Sequence, residues 1–160
     1  MKQSTLSKLL AFSLFFMAMW FFGNLYEEIV LTPNQLVNTY EKLQHWHQFF
    51  TVSNPIFFYV PFTLLAPVVL CVLYFKISDP AMKNLLKWAS IFSVVGTLVS
   101  VAIITQINVK IFFGDIDKYR DQLYDLTVIW LIGNAIRICF VGVSLYYTLR
   151  AYVLCQVKKS

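Results

Sequence analysis

The sequence has few charged residues. Only 13% of its 160 residues are Asp, Glu, Lys or Arg, whereas a water-soluble domain carries about 25%. Polar side chains are too few to cover a soluble globule, because 59% of the residues are hydrophobic. This composition excludes a soluble enzyme, a disordered chain and a nucleic-acid-binding module.

The sequence also lacks paired cysteines. Cys71, Cys139 and Cys155 lie far apart, inside or at the end of apolar runs, and none belongs to a CxxC pair. Four-helix membrane oxidoreductases that exchange disulfides need two neighbouring thiols near the surface. The pattern therefore predicts small core residues rather than a disulfide framework or a redox thiol site.

What the sequence does contain is four long apolar runs. They cover about residues 9–31, 56–75, 88–109 and 126–149, and each reaches the roughly 20 residues that a helix needs to cross the hydrocarbon layer. The first run exceeds a signal-peptide core and has no small-x-small cleavage site, so we expect an uncleaved anchor. The predicted fold class is all-α: one integral membrane four-helix bundle spanning residues 1–160.

The charges flanking these runs predict the orientation. Lysine and arginine cluster near both termini and between the second and third runs, whereas most acids lie in the other two loops. Because positive flanks stay in the cytoplasm, we expect both termini inside and the two longer loops outside. A multi-pass protein of a bacterial inner membrane is the expected location. The net charge of +5 then reflects the positive cytoplasmic flanks and gives no evidence of a nucleic-acid partner.

The first outer loop has an amphipathic pattern. Thr32 and Pro33 predict the start of a short helix. Leu36, Tyr40 and Leu43 would share one side of it, so we expect the helix to lie along the membrane surface.

Arg137 is the most informative residue of the chain. It lies near the middle of the fourth run, where a cation costs about 2.5–3.5 kcal/mol. Such a residue needs a partner or a water-filled cavity. Thr127, Trp130 and Asn134 share its helical face. We expect this polar stripe to face the bundle interior.

Helix geometry favours Glu27 as the partner of Arg137. The first and fourth runs are antiparallel, and helical side chains lean toward their own N-terminus, which brings Arg137 to nearly the depth of Glu27 and Glu28. Glu27 continues the face of Trp20 and Asn24, whereas Glu28 is rotated off it. The sequence therefore predicts a bidentate Arg137–Glu27 pair.

These residues outline a polar cavity in the outer half of the bundle. In the third run, Thr105 and Asn108 add polar atoms at the outer end. The alternative is that the same buried contacts only fix helix register. The candidate catalytic residues are Arg137, Asn134 and Glu27, and the candidate substrate-binding residues are Trp130, Asn108, Asn24 and Trp20.

Part of the third and fourth runs resembles a known family. Asn108 within TQINVKI, a short polar loop, and Trp130, Asn134 and Arg137 as W-x3-N-x2-R resemble the anthrone oxygenase-like family of small four-span membrane proteins. The resemblance implies an oxygenase that acts on a lipophilic polycyclic phenol without a cofactor. In that scheme Arg137 holds the substrate anion, Asn134 and Asn108 orient oxygens, and Trp130 stacks on the ring. The base is Glu27 or a loop histidine.

Two further hypotheses stay open. His45 and His47, with Glu41 nearby, could bind zinc or copper, although residues two apart on a helix point to different sides and only an extended backbone would join them. The chain could also be a non-enzymatic membrane subunit or assembly partner. The expected partners are membrane lipid and a lipophilic small molecule, with no nucleic acid, and either a homo-oligomer or a larger membrane complex is compatible with the sequence.

Overall fold

The protein is described by a computed structural model of residues 1–158, without the side chains of Phe58 and Phe62. Over residues 1–158 the elements are helices, and that range contains no β-strand. Four helical segments within it are long and apolar enough to cross a membrane. The predicted all-α four-helix architecture is therefore confirmed.

The first membrane helix is longer than the sequence predicts. Helix α1 (Gln3–Tyr26) continues through a π-helical turn, Glu27–Leu31, into helix α2 (Thr32–Gln35). The prediction that Thr32 and Pro33 begin a separate loop helix is wrong. The Thr32 hydroxyl donates a hydrogen bond back to the Glu27 carbonyl at 3.0 Å, so it extends the membrane helix instead of capping a new one.

The loop helix begins seven residues later and packs on the end of the bundle. Helix α3 (Thr39–Phe49) follows Asn38, whose φ of 52° lies in the left-handed region and turns the chain. Leu43 is fully buried in a cluster with Ile111. His47 lies with Nε2 at 2.9 Å from the Ile111 carbonyl oxygen. Tyr40 and Leu43 therefore share the buried side of α3, whereas Leu36, which was expected to share it, lies before the helix begins.

The next two helices each begin with an N-cap residue, Asn54 for the first and Asp79 for the second. The Asn54 side chain accepts a hydrogen bond from the Ile56 amide, and the Asp79 side chain accepts one from the Met82 amide at 2.8 Å. Proline occupies the first turn of each helix, where its missing N–H costs nothing. The remaining elements are α4 (Pro55–Lys76), α5 (Pro80–Ile103), a π turn (Ile104–Asn108), α6 (Val109–Ile111), a 3₁₀ segment (Ile116–Gln122) and α7 (Leu123–Val157).

Helix α7 holds the bundle together. It packs against α5 and α1, and α4 packs against these same two helices. Both termini and the α4–α5 loop lie at one end, where Gln3 donates a hydrogen bond to the Cys155 carbonyl at 3.0 Å and Lys158 pairs with Asp79. We call this the terminal end, and we call the opposite end, which carries α3, the loop end. Which end faces the cytoplasm stays a prediction.

The outer surface of the bundle is apolar, as a membrane requires. Large side chains such as Phe15, Phe22 and Phe75 are exposed along the helices. Of the cysteines, Cys155 is buried, but Cys139 is exposed on α7. The expectation of three core thiols therefore fails at Cys139, because that side chain lies on the outer face of its helix.

Candidate functional site

A small cavity lies inside the loop end of the bundle. Its volume is about 80 Å³. Helices α1, α2, α4, α5 and α7 contribute to its wall, and α3 covers it. The polar and aromatic residues of the wall are Trp20, Glu27, Thr32, Gln35, Trp46, Asn54, Thr63, Ser100, Asn108, Phe112, Trp130 and Arg137.

Arg137 reaches the cavity but is held by its own helix. The side chain is 9% exposed, and both Nε and Nη2 donate to the Asn134 side-chain oxygen, at 3.1 and 2.5 Å. The nearest carboxylate oxygen of Glu27 is 3.9 Å from Nη2. The ion pair with Glu27 is present, but the predicted bidentate geometry is wrong. Asn134, three residues earlier on α7, is close enough to accept two of the guanidinium N–H groups.

Glu28 also belongs to the cluster, contrary to the prediction that it is rotated away. The Asn134 amide nitrogen donates to Glu28 at 2.8 Å and to the Asn24 carbonyl at 3.1 Å. Asn24 precedes Glu27 by three residues and Glu28 by four, so both acids are its neighbours on the helix surface. One cation therefore faces two carboxyls, and Asn134 connects Arg137 to the second of them.

The polar stripe of α7 faces the interior as predicted. Thr127, Trp130, Asn134 and Arg137 are all buried. The Trp130 indole nitrogen donates to the Asn108 side-chain oxygen at 2.9 Å, which ties α7 to the π turn after α5. This bond satisfies both buried groups and fixes the plane of the Trp130 ring beside the cavity.

The structure brings together most of the predicted site residues. Five of the seven line the cavity: Trp20, Glu27, Asn108, Trp130 and Arg137. Asn24 and Asn134 lie behind the wall. The Asn24 amide donates to the Trp20 carbonyl of its own helix at 2.6 Å. Neither asparagine lines the cavity, and their roles stay predictions.

Sequence reasoning missed part of the wall. Gln35 is 8% exposed, and its side-chain oxygen has no hydrogen-bond partner among the described residues; the same holds for the Trp46 indole nitrogen. Both residues line the cavity. Gln35 lies beyond the first apolar run, but the spacing of Glu28, Thr32 and Gln35 continues one helical face and is the signal that places it there. Thr105, in contrast, is exposed and bonds to the Val101 carbonyl.

Neither histidine lines the cavity. His45 is exposed, and His47 lies against the Ile111 carbonyl. In residues 1–158 no group of three His, Cys, Asp or Glu side chains is close enough together to hold a metal ion. The helical backbone of α3 sends these two side chains in different directions, as the spacing requires.

Helix α3 is fastened over the cavity by polar and aromatic contacts. The Tyr40 hydroxyl donates to Asp117 at 2.5 Å, and the Arg120 guanidinium stacks 4.2 Å from the Tyr40 ring. Donation to Asp117 raises the pKa of Tyr40 above its usual value. On the cavity side, the Trp46 and Phe112 ring centroids are 5.2 Å apart. The two loops therefore form one cover at the loop end.

No protein-family model, no curated protein and no solved structure matches this chain. A functional assignment therefore depends on the geometry of the cavity and its charged cluster.

Proposed function

We propose that this protein is an integral membrane, oxygenase-like enzyme that acts on a lipophilic aromatic molecule with an acidic oxygen. The observation that carries the proposal is the presence of a guanidinium and a carboxylate, Arg137 and Glu27, in the wall of one buried cavity. Three tryptophans share that wall. Ionisable residues inside a membrane are costly, and they mark functional sites by default.

The charges of the cluster favour acid–base chemistry. One cation faces two carboxyls, so the cluster is neutral when either Glu27 or Glu28 carries a proton. A group that exchanges a proton beside a fixed cation can act as a general base and then as a general acid. Glu27, which lines the cavity, is the base of the proposed reaction. Glu28 is already engaged by Asn134.

The proposed reaction converts a ring CH2 group to a ketone. Glu27 removes one proton from this carbon, and Arg137 stabilises the negative charge, which is delocalised through the ring onto the opposite keto oxygen and gives it phenolate character. The carbanion reduces O2 and bonds to it, and the proton on Glu27 returns to give a hydroperoxide. Loss of one water then leaves the carbonyl. One O2 is consumed, and one of its oxygen atoms stays on the substrate.

The other cavity residues support this chemistry by position. Trp130 can stack on an aromatic ring, and its hydrogen bond to Asn108 keeps its plane fixed. Asn134 holds the Arg137 side chain through two hydrogen bonds and does not itself line the cavity. It is therefore a positioning residue for Arg137.

The size of the cavity limits what enters it. A dry cavity of about 150 Å³ accommodates benzene, and this one is about 80 Å³. Only part of a ring system therefore enters the cavity: the part that carries the oxygen and the reacting carbon, while the rest of the molecule lies outside it.

Turnover of a simple lipophilic probe tests the proposal. The protein in lipid nanodiscs is supplied with anthrone, and both O2 uptake and anthraquinone formation are followed. We expect Arg137→Lys and Glu27→Gln each to lower kcat/KM by about 100-fold, with circular dichroism and gel filtration unchanged. Lysine keeps the charge but cannot reproduce the planar fork of arginine.

The matched control is Glu41→Gln, which makes the same change at an exposed carboxylate of α3. It should leave turnover unchanged. A rate no higher than that of empty nanodiscs, or a rate insensitive to Arg137→Lys, contradicts the proposal. If these variants only lower the unfolding temperature, the cluster fixes helix register instead.

A further inference from the structure

An apolar groove on the outside of the bundle adjoins the charged cavity. The groove is open, has a volume of about 400 Å³, and is lined by Ile56, Phe57, Val60, Pro61 and Phe113. Its two phenylalanine rings lie 6.4 Å apart between centroids and connect α4 to the segment after α6. Both rings are exposed on the surface of the spans.

Two residues belong to both spaces. Ile56 and Val60, one turn apart on α4, line the groove on one side and the cavity on the other. Both side chains are half-buried. The boundary between the charged cavity and the lipid-facing groove is therefore one layer of aliphatic side chains, which can change rotamer without moving a helix.

The two spaces have complementary chemistry. The cavity holds a guanidinium and a carboxylate, and its wall includes the buried Gln35 oxygen without a partner. The groove offers only apolar side chains. A molecule with one acidic oxygen and an apolar body would satisfy both, with its oxygen near Arg137 and its body in the groove. The cavity is too small for the whole molecule, and the groove has no polar group for its oxygen.

We infer that the ligand of this site is an amphipathic phenol that enters sideways from the bilayer between Ile56 and Val60, leaving its hydrocarbon part in the Phe57–Phe113 groove. This inference rests on the proposed function, because it assumes the oxygen site at Arg137. It adds the place where the hydrocarbon part of the ligand lies and the route of entry. Such an entry does not require the cover formed by α3 to open.

Binding of two phenols that differ only in their tail tests the inference. The probes are 4-nonylphenol and phenol, and binding to nanodisc-embedded protein is followed by the fluorescence of the cavity tryptophans. Val60→Phe fills the boundary, so we expect it to weaken 4-nonylphenol binding by about tenfold and phenol binding by less than about twofold. For each probe, binding to a variant is compared with binding of the same probe to the wild type, so the partition of the probe into lipid cancels.

Two further variants distinguish a failure of the groove inference from a failure of the oxygen site at Arg137. Val68→Phe, the same change at an exposed position of α4, should leave both probes unaffected. Arg137→Gln should weaken both. If Arg137→Gln weakens both but Val60→Phe weakens neither, the oxygen site survives and the groove inference is overturned. If Arg137→Gln weakens neither probe, or neither probe binds, the oxygen site of the proposed function fails and the inference fails with it.

Discussion

The side chain of Asn134 accepts two hydrogen bonds from the guanidinium of Arg137, which lies three residues further along the same helix. The other end of that amide donates to Glu28 in the π turn that continues α1. Since an amide has both an acceptor and a donor, Asn134 can satisfy a buried cation and a carboxylate together. A neutral side chain therefore connects the charges of α1 and α7 more closely than the 3.9 Å ion pair does.

Removal of this amide should destabilise the bundle. Asn134→Ala leaves Arg137 with only the long contact to Glu27 and deprives Glu28 of its donor. We expect a loss of about 3 kcal/mol in the free energy of unfolding, measured by denaturant titration in detergent. Asn34→Ala is the control, because Asn34 is exposed and its amide bonds only to the Val30 carbonyl. Equal losses in the two variants would contradict the role assigned to Asn134.

The contribution of the Trp130–Asn108 hydrogen bond to the free energy of unfolding should be measurable separately. Trp130→Phe keeps an aromatic ring but removes the N–H group that donates at 2.9 Å. We expect the unfolding free energy to fall by about 1 kcal/mol. Adding Asn108→Ala should then cost less than it does alone, with a coupling of at least about 0.5 kcal/mol. Additive losses would mean that the bond contributes nothing, and Trp88→Phe at a more exposed position provides the reference for ring truncation.

Gly114 is expected to tolerate no side chain. A Cβ atom there would lie 2.5 Å from the Val109 carbonyl oxygen, so the backbone of the turn would have to move. Gly114→Ala should lower the unfolding free energy by about 1–3 kcal/mol. At Gly133 the same atom meets the Ile103 side chain at 3.2 Å, which needs to shift by only a few tenths of an ångström, so Gly133→Ala should cost less than Gly114→Ala. Thermal unfolding of the two variants distinguishes these outcomes.

Asp79 should make the terminal end sensitive to acid. The hydrogen bond from Lys158 and the bond from the Met82 amide lower the pKa of this carboxyl below its usual 3.8. A lowered pKa in the folded state contributes stability above the usual value, and that contribution is lost as the pH falls through the lowered value. The unfolding temperature of Asp79→Asn should therefore fall less than that of the wild type between about pH 5 and about pH 2.

Asp121→Asn provides the reference for the loss of one carboxylate, since Asp121 is exposed at the loop end. A change in acid dependence that is larger for Asp79→Asn than for Asp121→Asn assigns the effect to the contacts of Asp79. Parallel profiles for Asp79→Asn and the wild type would show that the Lys158 contact does not contribute to stability.

The sequence by itself determined the four membrane helices and the inward face of α7. Both are local properties: the length of an apolar run decides whether it can span a membrane, and the helical period places Thr127, Trp130, Asn134 and Arg137 on one face. The burial of Arg137 followed from the cost of leaving its charge in lipid. Five of the seven predicted site residues line the cavity for these reasons.

Only the tertiary structure decided how the buried charges are paired and what closes the cavity. The roles of Asn134 and Glu28 depend on the register between α1 and α7, which no local pattern specifies. Gln35 enters the wall because a π turn carries the first membrane helix beyond Leu31, and Trp46 enters it because α3 folds back over the bundle. Contacts between segments distant in sequence are set by packing and by the satisfaction of buried polar groups, and these act only once the helices have assembled.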